Sequence, residues 1–231
     1  MNQTLIQFHY LGPIILSSPE DFLNSTGDFA DHQRLQLASF LGIKPEDLIK
    51  EFVARYIEVT PNKDHQAITP AHDRIKSRII EPLKIAKKSY CFEEYVTSIA
   101  LSGIVGETMA HVLRQLYDTQ IDGTAVDSNL EKAIFGKSFD KLGQERRIEI
   151  LSKLKYVSPD QEKMLKILKD TRVPYMHWWS LGKTADEIKV DAKNAVINAA
   201  KLFSSVFDIK LVSASSISID ARVQSFWEKI G

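Results

Sequence analysis

The amino-acid sequence predicts an all-α fold, in which a helical bundle follows a small N-terminal helical subdomain. Two observations support this prediction. The ten glycines and eight prolines of the 231-residue chain fall mostly between segments with helical apolar spacing, and strand-like alternation is scarce. Helix starts are also easy to recognise, because capping residues stand directly before apolar residues that recur every three to four positions.

The first 65 residues are predicted to form the helical subdomain, and the sequence does not indicate its role. Residues 5–16 predict one short strand or an extended arm. Ser18 is the cap of a helix that starts at Pro19, and a second helix starts at Pro45. The apolar side of this second helix consists of Leu48, Phe52, Val53 and Tyr56. The polar segment TPNKDHQAIT, residues 60–69, predicts an exposed linker, which places the domain boundary at about residue 65.

The remainder of the chain, residues 66–231, is predicted to form the bundle. Its predicted helices are 72–117, bent near Pro82, then 128–135, 139–155, 159–171 and 185–207. Ser128 begins a capping box and Gly136 is a stop signal, while Ser158 and Thr184 mark the last two starts. The C-terminal segment with the letters SASSIS predicts a loose tail that ends in a turn at 224–230.

The long helix at 95–117 carries small residues along one stripe. The stripe consists of Tyr95, Ile99, Gly103, Gly106, Ala110 and Leu113. Small residues there would let another helix approach closely. Glu107 stands in the same apolar helix, where a charge costs free energy unless it is paired. We therefore expect Arg172 or Arg114 as its partner.

Composition is that of an ordinary globular protein, with 44% hydrophobic and 26% charged residues. Lysine plus arginine equals aspartate plus glutamate, so the formal net charge is zero. This balance argues against a protein that coats nucleic acid electrostatically, although a local positive spot is compatible with it. Cys91 is the only cysteine, which excludes a disulfide within the chain and a cysteine-based zinc site.

Neither a leader peptide nor a membrane span is predicted. The N-terminus MNQTLIQFHYLGPIIL lacks a basic leader and a clean small-residue cleavage site. The longest apolar stretch, residues 96–112, is short for a span and is interrupted by Ser98, Ser102, Glu107, Thr108 and His111. We therefore expect a cytoplasmic protein without a membrane partner.

Arg172 and His177 stand in the segment KDTRVPYMHWW, where one patterned helix is predicted to end and another to begin. Arginine offers a planar fork of donors that suits phosphate oxygens and keeps its charge. Histidine titrates near neutral pH and can act as base or acid. The pair has the groups needed to cut RNA without a metal. Packing roles stay open, because an arginine also suits a helix C-terminus and His177 stands between Met176 and Trp178.

The order of the helical segments along the chain is similar to that of a known family. A long apolar helix with an embedded acid (SIALSGIVGETMAHVLRQLY) precedes two amphipathic helices (RRIEILSKLKYVSPDQEKMLKILKDTR). Then come Arg-x4-His and an alanine-rich closing helix (DAKNAVINAAKLFSSVF). This arrangement resembles the HEPN superfamily, the higher eukaryote and prokaryote nucleotide-binding helical domains. The resemblance covers about residues 76–210 and implies an up-and-down bundle of four or five helices.

The resemblance also implies a function. Many HEPN proteins are metal-independent ribonucleases that act as dimers, often in toxin–antitoxin or other defence systems, and others are non-catalytic binding or scaffold domains. On this chain the Arg-x4-His motif falls on Arg172 and His177, and the embedded acid corresponds to Glu107. The family often has a polar residue directly after the arginine, whereas this chain has Val173 and then Pro174.

The predicted site assigns one role to each residue of the motif. Arg172 binds the scissile phosphate, His177 moves the proton and Glu107 orients Arg172. One histidine does not easily supply both a base and an acid, so we expect a homodimer that joins two pairs in one cleft. Tyr175 is expected to support the pair with a hydroxyl or a stacking face, and further contacts with RNA are expected from Trp178, Trp179, Lys87 and Lys88. No cofactor or metal is expected, because the Glu107–His111 spacing of a metal-binding helix lacks a second ligand pair.

Two functions are therefore open. One is a metal-independent endoribonuclease, and the other is a non-catalytic domain that binds nucleotide, RNA or a protein partner such as an antitoxin. Zero net charge and Val173 favour binding, whereas the intact Arg172 and His177 favour catalysis. Trp178 and Trp179 also suit an apolar core or a dimer interface, as an alternative to contact with RNA. A DNA-reading helix-turn-helix at 35–60 is a third and weaker hypothesis, because that segment lacks a basic recognition surface.

Overall fold

The computed structural model describes residues 6–13, 15, 17–60, 66–70, 72–117, 120–121, 124–177, 182–207, 210–213, 216–218 and 220–230. It confirms the all-α prediction. The helices are α1 (Pro19–Asn24), α2 (Asp28–Leu41), α3 (Lys50–Glu58), α4 (Asp73–Ile75), α5 (Glu81–Cys91), α6 (Tyr95–Leu116), α7 (Ser128–Phe135), α8 (Gln144–Lys153), α9 (Pro159–Met176), α10 (Ala185–Phe207) and α11 (Ala221–Ile230). α6 is the central helix and packs against α5, α9 and α10.

Short two-stranded pairs accompany the helices. They are β1 (Ile6–Tyr10) with β2 (Gln66–Pro70), β3 (Gln120–Ile121) with β4 (Thr124–Ala125), and β5 (Lys210–Ser213) with β6 (Ser216–Ser218), all antiparallel. β1 confirms the predicted N-terminal strand. β2 corrects the second half of the predicted exposed linker, because its backbone pairs with β1 and Thr69 is fully buried. Residues 61–65 of that linker lie outside the described part of the chain. The strand pairing therefore joins the N-terminal residues to the chain beyond the predicted boundary.

The predicted caps form in most places. The Ser18 hydroxyl accepts from the Asp21 N–H, and reciprocal capping boxes form at Ser158 and Thr184. Gly136 ends α7 in the left-handed conformation with φ 79°. The start of α7 differs by one residue from the prediction. Its cap is the Asp127 carboxylate, which accepts from two backbone N–H groups and so replaces the predicted box at Ser128.

The region 72–117, predicted as one bent helical segment, forms two long helices, α5 and α6, and the chain ahead of α5 departs from regular α-helix. A π-helical turn at Lys76–Ile80 precedes α5. Pro82 explains it, because a proline has no N–H and its ring crowds the carbonyl of the preceding turn. α5 and α6 are then separated by a turn in which Glu93 has φ 64°. The chain reverses there, so α5 packs along α6 instead of continuing it.

Two predicted helix starts contain an extra 3₁₀ turn. Pro45–Asp47 is a 3₁₀ turn ahead of α3, and Phe139–Lys141 is a 3₁₀ turn ahead of α8. Gly143 then stands at the cap of α8. The predicted helices at these places are therefore shorter. No residue of the first turn is buried, whereas Phe139 of the second turn packs inward with 2% exposure.

Among the described residues, two apolar cores hold the fold. The larger one lies between α5, α6, α8, α9 and α10 and includes Leu83, Ile99, Val105, Met109, Leu151, Leu165, Leu168, Val196, Leu202 and Phe203. The smaller one consists of Ile15, Phe22, Leu37, Leu41, Leu48, Val53, Tyr56 and Cys91. Cys91 belongs to α5, so the N-terminal helices pack on the bundle through this helix. α2, which was not predicted separately, supplies Leu37 and Leu41.

The predicted loose tail is a hairpin and a packed helix. β5 and β6 pair across part of the SASSIS segment, whose residues 214 and 215 lie outside the described part of the chain. Val223 and Phe226 of α11 are 3% and 5% exposed and belong to the larger core. The Arg222 guanidinium lies 4.8 Å from the centre of the Tyr117 ring and donates to the Tyr117 hydroxyl at 2.7 Å. The tail is therefore part of the bundle.

Among the described residues, α6 is a helix whose length and composition would suit a membrane span. In the bundle, 56% of its apolar window is buried. A central helix of a helical core passes the same test of length and composition, so the observation is weak evidence for a span.

Candidate functional site

Arg172 and His177 lie on one helix. α9 continues past Thr171 to Met176, with Pro174 in its last turn and His177 as its C-terminal cap residue. The prediction that the two residues lie on adjoining helices is therefore wrong. A proline removes one backbone hydrogen bond and strains the preceding turn, and α9 ends two residues after it.

Glycines bring α9 into close contact with α6. A Cβ atom added to Gly103 would lie 2.2 Å from Arg172 Cδ, and one added to Gly106 would lie 3.0 Å from Leu168 Cδ1. A side chain at Gly103 would therefore collide with α9, and one at Gly106 would crowd it. The predicted close approach of a helix to the small-residue stripe is confirmed, and the approaching helix is the one that carries Arg172.

A groove of about 610 Å³ lies between α6, the start of α8 and the end of α9. It is lined by Gly103, Gly106, Glu107, Gly143, Gln144, Glu145, Leu168, Lys169, Asp170, Arg172, Val173, Pro174, Met176 and His177. His177 is exposed, and the Arg172 side chain keeps 27% of its surface accessible. Both residues of the predicted pair therefore reach the same solvent-open groove.

Glu107 holds Arg172 in place. Its Oε1 lies 2.6 Å from Arg172 Nη1, as predicted for the embedded acid. A guanidinium has five N–H donors, so one carboxylate contact at Nη1 does not use up its capacity to bind a phosphate. The ion pair fixes the direction of a long side chain that would otherwise lose rotamer freedom on binding.

The groove is not strongly positive. Lys169 forms ion pairs with Glu145 and, at 2.8 Å, with Asp170. The charged lining residues are thus three carboxylates against two cations, which leaves one formal negative charge when His177 is neutral. A phosphate bound here must compete with carboxylates for the cations, so RNA affinity from charge alone will be low.

Tyr175 faces α10 and does not line this groove. Its hydroxyl donates to Asp191 Oδ2 at 2.7 Å, and Lys183 pairs with the same carboxylate and lies 5.3 Å from the ring centre. Burial and the Asp191 carboxylate both raise the pKa of Tyr175. In this conformation its hydroxyl is bonded to α10, which gives it a packing role beside the predicted catalytic pair.

The other predicted RNA contacts separate into three cases. Lys87 is fully buried between α3 and α5, where its ammonium donates to the Thr60 hydroxyl at 3.3 Å, so it is not available at the surface for RNA. Lys88 is partly exposed and its ammonium lies 6.0 Å from the centre of the Phe92 ring, away from the groove. Trp178 and Trp179 lie outside the described residues.

His111 lies on α6 one turn after Glu107, and sequence reasoning gave it no catalytic role. Its Nδ1 lies 3.2 Å from Asp140 Oδ1, and its ring meets Phe139 edge-on at 5.6 Å. Burial, followed by the positive charge of Arg147, lowers the pKa of His111. The His111–Asp140 contact could not be recognised from the sequence, because Asp140 follows His111 by 29 residues. It lies in a turn that only the folded chain brings against α6.

The described part of the chain contains no group of three or more His, Cys, Asp or Glu side chains placed to hold a metal ion. Comparison with known proteins adds no relative: no family model matches the chain, and no curated protein or solved structure matches it. The resemblance to the HEPN superfamily therefore stays a prediction from the sequence.

Proposed function

We propose that this protein binds RNA in the groove between α6, α8 and α9 and cleaves it without a metal ion. The observation that carries the proposal is the Arg172–Glu107 ion pair at the edge of a solvent-open groove that His177 also lines. A guanidinium held in one direction suits a phosphodiester, and an exposed imidazole can exchange protons with it.

The proposed reaction uses the 2′-hydroxyl of the RNA as nucleophile. Arg172 donates to the phosphate oxygens and stabilises the charge that develops on them. His177 transfers a proton during the exchange. The expected products are a 2′,3′-cyclic phosphate end and a 5′-hydroxyl end.

Replacing His177 with alanine should abolish cleavage. Purified protein is incubated with mixed single-stranded RNA in the presence of a chelator, and the ends of the products are analysed. Loss of the imidazole removes a proton-transfer group, which is worth about 100-fold or more in rate. His32→Ala is the matched control, because His32 is an exposed histidine on α2, remote from this groove. Equal cutting by His177→Ala and wild type would contradict the role of His177.

A second function is favoured by the charge of the groove. Its lysine and arginine are already paired with carboxylates, as expected for a non-catalytic domain that binds a nucleotide, RNA or a protein partner with modest affinity. Binding without cutting in the assay above, lost in Arg172→Ala, would favour this function. A homodimer, an antitoxin partner, a defence role and a cytoplasmic location are further predictions, which rest on the resemblance and on the composition.

A further inference from the structure

Lys169 and Arg172 are the two lysine or arginine residues among the described lining of the groove. They stand three positions apart on α9, so their Cβ atoms lie about 5–6 Å apart on neighbouring turns of one helix face. Both side chains keep some contact with solvent, at 19% of the surface for Lys169 and 27% for Arg172. Two cations in a row along one wall of a groove suit neighbouring phosphates of one nucleic-acid strand.

Each of these cations is paired with a carboxylate from a different helix. α6 supplies Glu107 to Arg172, and the first turn of α8 supplies Glu145 to Lys169. Glu145 and Lys169 both line the groove, so their ion pair joins two of its walls. A strand that enters the groove therefore meets this ion pair beside the guanidinium.

The two pairs differ in what they leave for a ligand. Arg172 has five N–H donors, so it can keep Glu107 and still donate to a phosphate. The Lys169 ammonium has three donors and already contacts two carboxylates, those of Glu145 and, at 2.8 Å, Asp170. A phosphate added to this group would place three anions around one cation. A phosphate that binds Lys169 therefore replaces a carboxylate.

Glu145 is the carboxylate that is easier to replace. Its side chain is 56% exposed, so it can turn into water with little change in hydration. An exposed ion pair of this kind is worth about fivefold or less in an equilibrium constant. Asp170 follows Lys169 directly on the same helix and stays close to it, whereas Glu145 reaches it from α8.

We propose that Lys169 binds the phosphate next to the one that Arg172 binds, and that Glu145 occupies the ammonium until RNA replaces it. This inference rests on the proposed binding of RNA in the groove. It adds a substrate class, because two adjacent phosphates are present in a strand and absent from a nucleoside monophosphate. Lys169 has a binding role here, and the proton transfer remains with His177.

The test measures binding separately from cleavage. The probe is a fluorescently labelled single-stranded RNA with 2′-O-methyl groups throughout, which lacks the nucleophile and is not cut. Its affinity for the full chain is followed by anisotropy at several salt concentrations. Lys169→Met removes the charge and keeps the length, so we expect about tenfold weaker binding. The slope of log affinity against log salt should also become shallower by about 0.7, the value for one phosphate contact on a single strand.

Lys166→Met is the matched control for this variant. Lys166 stands one turn before Lys169 on α9, is paired with Glu162 and is not part of the groove lining. Its replacement should leave the affinity and the salt slope unchanged. Lys169→Arg keeps the charge and should keep the salt slope. Weak binding by Lys169→Arg as well would overturn the phosphate contact, because a loss of packing would then explain both variants.

Glu145→Gln tests the competing carboxylate. It removes the charge that occupies Lys169 and keeps the shape, so the probe should bind about threefold to fivefold more tightly. Glu149→Gln is the matched control, since Glu149 lies one turn further along α8, pairs with Arg146 and does not line the groove. The gain should disappear when Glu145→Gln is combined with Lys169→Met. A gain of the same size in the double variant overturns the competition for the ammonium.

The outcomes separate this inference from the proposed function. If Lys169→Met binds the probe like Lys166→Met, the second phosphate contact is overturned and RNA binding at Arg172 stands. If Glu145→Gln binds no more tightly than Glu149→Gln, the competing role of Glu145 is overturned. Wild type that binds through Lys169 but leaves unmodified RNA uncut supports this inference and rejects cleavage. Absence of binding by wild type at low salt rejects both.

Discussion

Replacing Lys87 with methionine should raise the free energy of unfolding at pH 7 by several kcal/mol. Lys87 is fully buried between α3 and α5, and burial lowers its pKa from 10.5 to about 7. Each unit of such a shift corresponds to about 1.4 kcal/mol of unfavourable differential interaction with the charged form. Methionine has a similar length, no charge and an adaptable shape, so it removes that penalty while it fills the same space.

The pH dependence gives the sign of the effect. Between pH 7 and pH 10.5 the unfolded chain holds the Lys87 proton that the folded chain has released. Stability rises with pH wherever the unfolded state binds more protons, so wild type should gain stability from pH 7 to pH 9.5. The methionine variant lacks this slope. Its advantage should therefore be largest at pH 7 and below, and should shrink as the pH rises.

Urea unfolding at pH 6, 7, 8, 9 and 9.5 measures both variants. Lys163→Met is the matched control, because Lys163 is exposed on α9 and its replacement should change stability by less than about 0.5 kcal/mol. A methionine variant that is less stable than wild type at pH 7 would show that the contacts of the ammonium with Thr60 and the Tyr56 ring outweigh its desolvation.

Local signals account for what the sequence predicted correctly in the fold. The boxes at Ser158 and Thr184 act within one helical turn, so the residues that specify them are adjacent in the chain. The tail and the linker were mispredicted for the opposite reason. Their polar residues are compatible with loops, and contacts from distant segments hold them in the fold: β1 pairs with β2, and Tyr117 binds Arg222. Within the tail, β5 also pairs with β6.

The residues of the candidate site also divide into those that nearby sequence predicts and those that only distant contacts place. The Arg172–Glu107 pair was predictable, because an acid in an apolar helix needs a partner and few cations are well placed to supply one. The burial of Lys87 was not predictable from α5 alone. Other residues of α5 already form one apolar side of that helix. The side that carries Lys87 is buried only because the N-terminal helices bring Tyr56 and Thr60 against it.

Replacing Gly103 with alanine should remove Arg172 from its place and lower stability by about 1–3 kcal/mol, the usual cost of overpacking. The new Cβ would lie 2.2 Å from Arg172 Cδ and 3.0 Å from its Cβ and Cγ. The arginine must leave its present path, or α9 must move away from α6, and either movement breaks the ion pair with Glu107. RNA cleavage should fall by about 100-fold, as when one transition-state donor is lost.

The sign of this effect distinguishes the contact from helix propensity. Alanine in the interior of a helix normally stabilises it by up to about 1 kcal/mol relative to glycine, so a loss of stability at Gly103 must come from the contact with Arg172.

Gly143→Ala is the matched control, because Gly143 lines the same groove and its added Cβ meets nothing within 4 Å. Its cost as a cap substitution should stay below about 1 kcal/mol, with cleavage unchanged. Thermal unfolding and the RNA assay measure both variants. If Gly103→Ala unfolds and cuts like wild type, α9 does not lie on α6 as closely as described, and the direction given to Arg172 by Glu107 loses its structural basis.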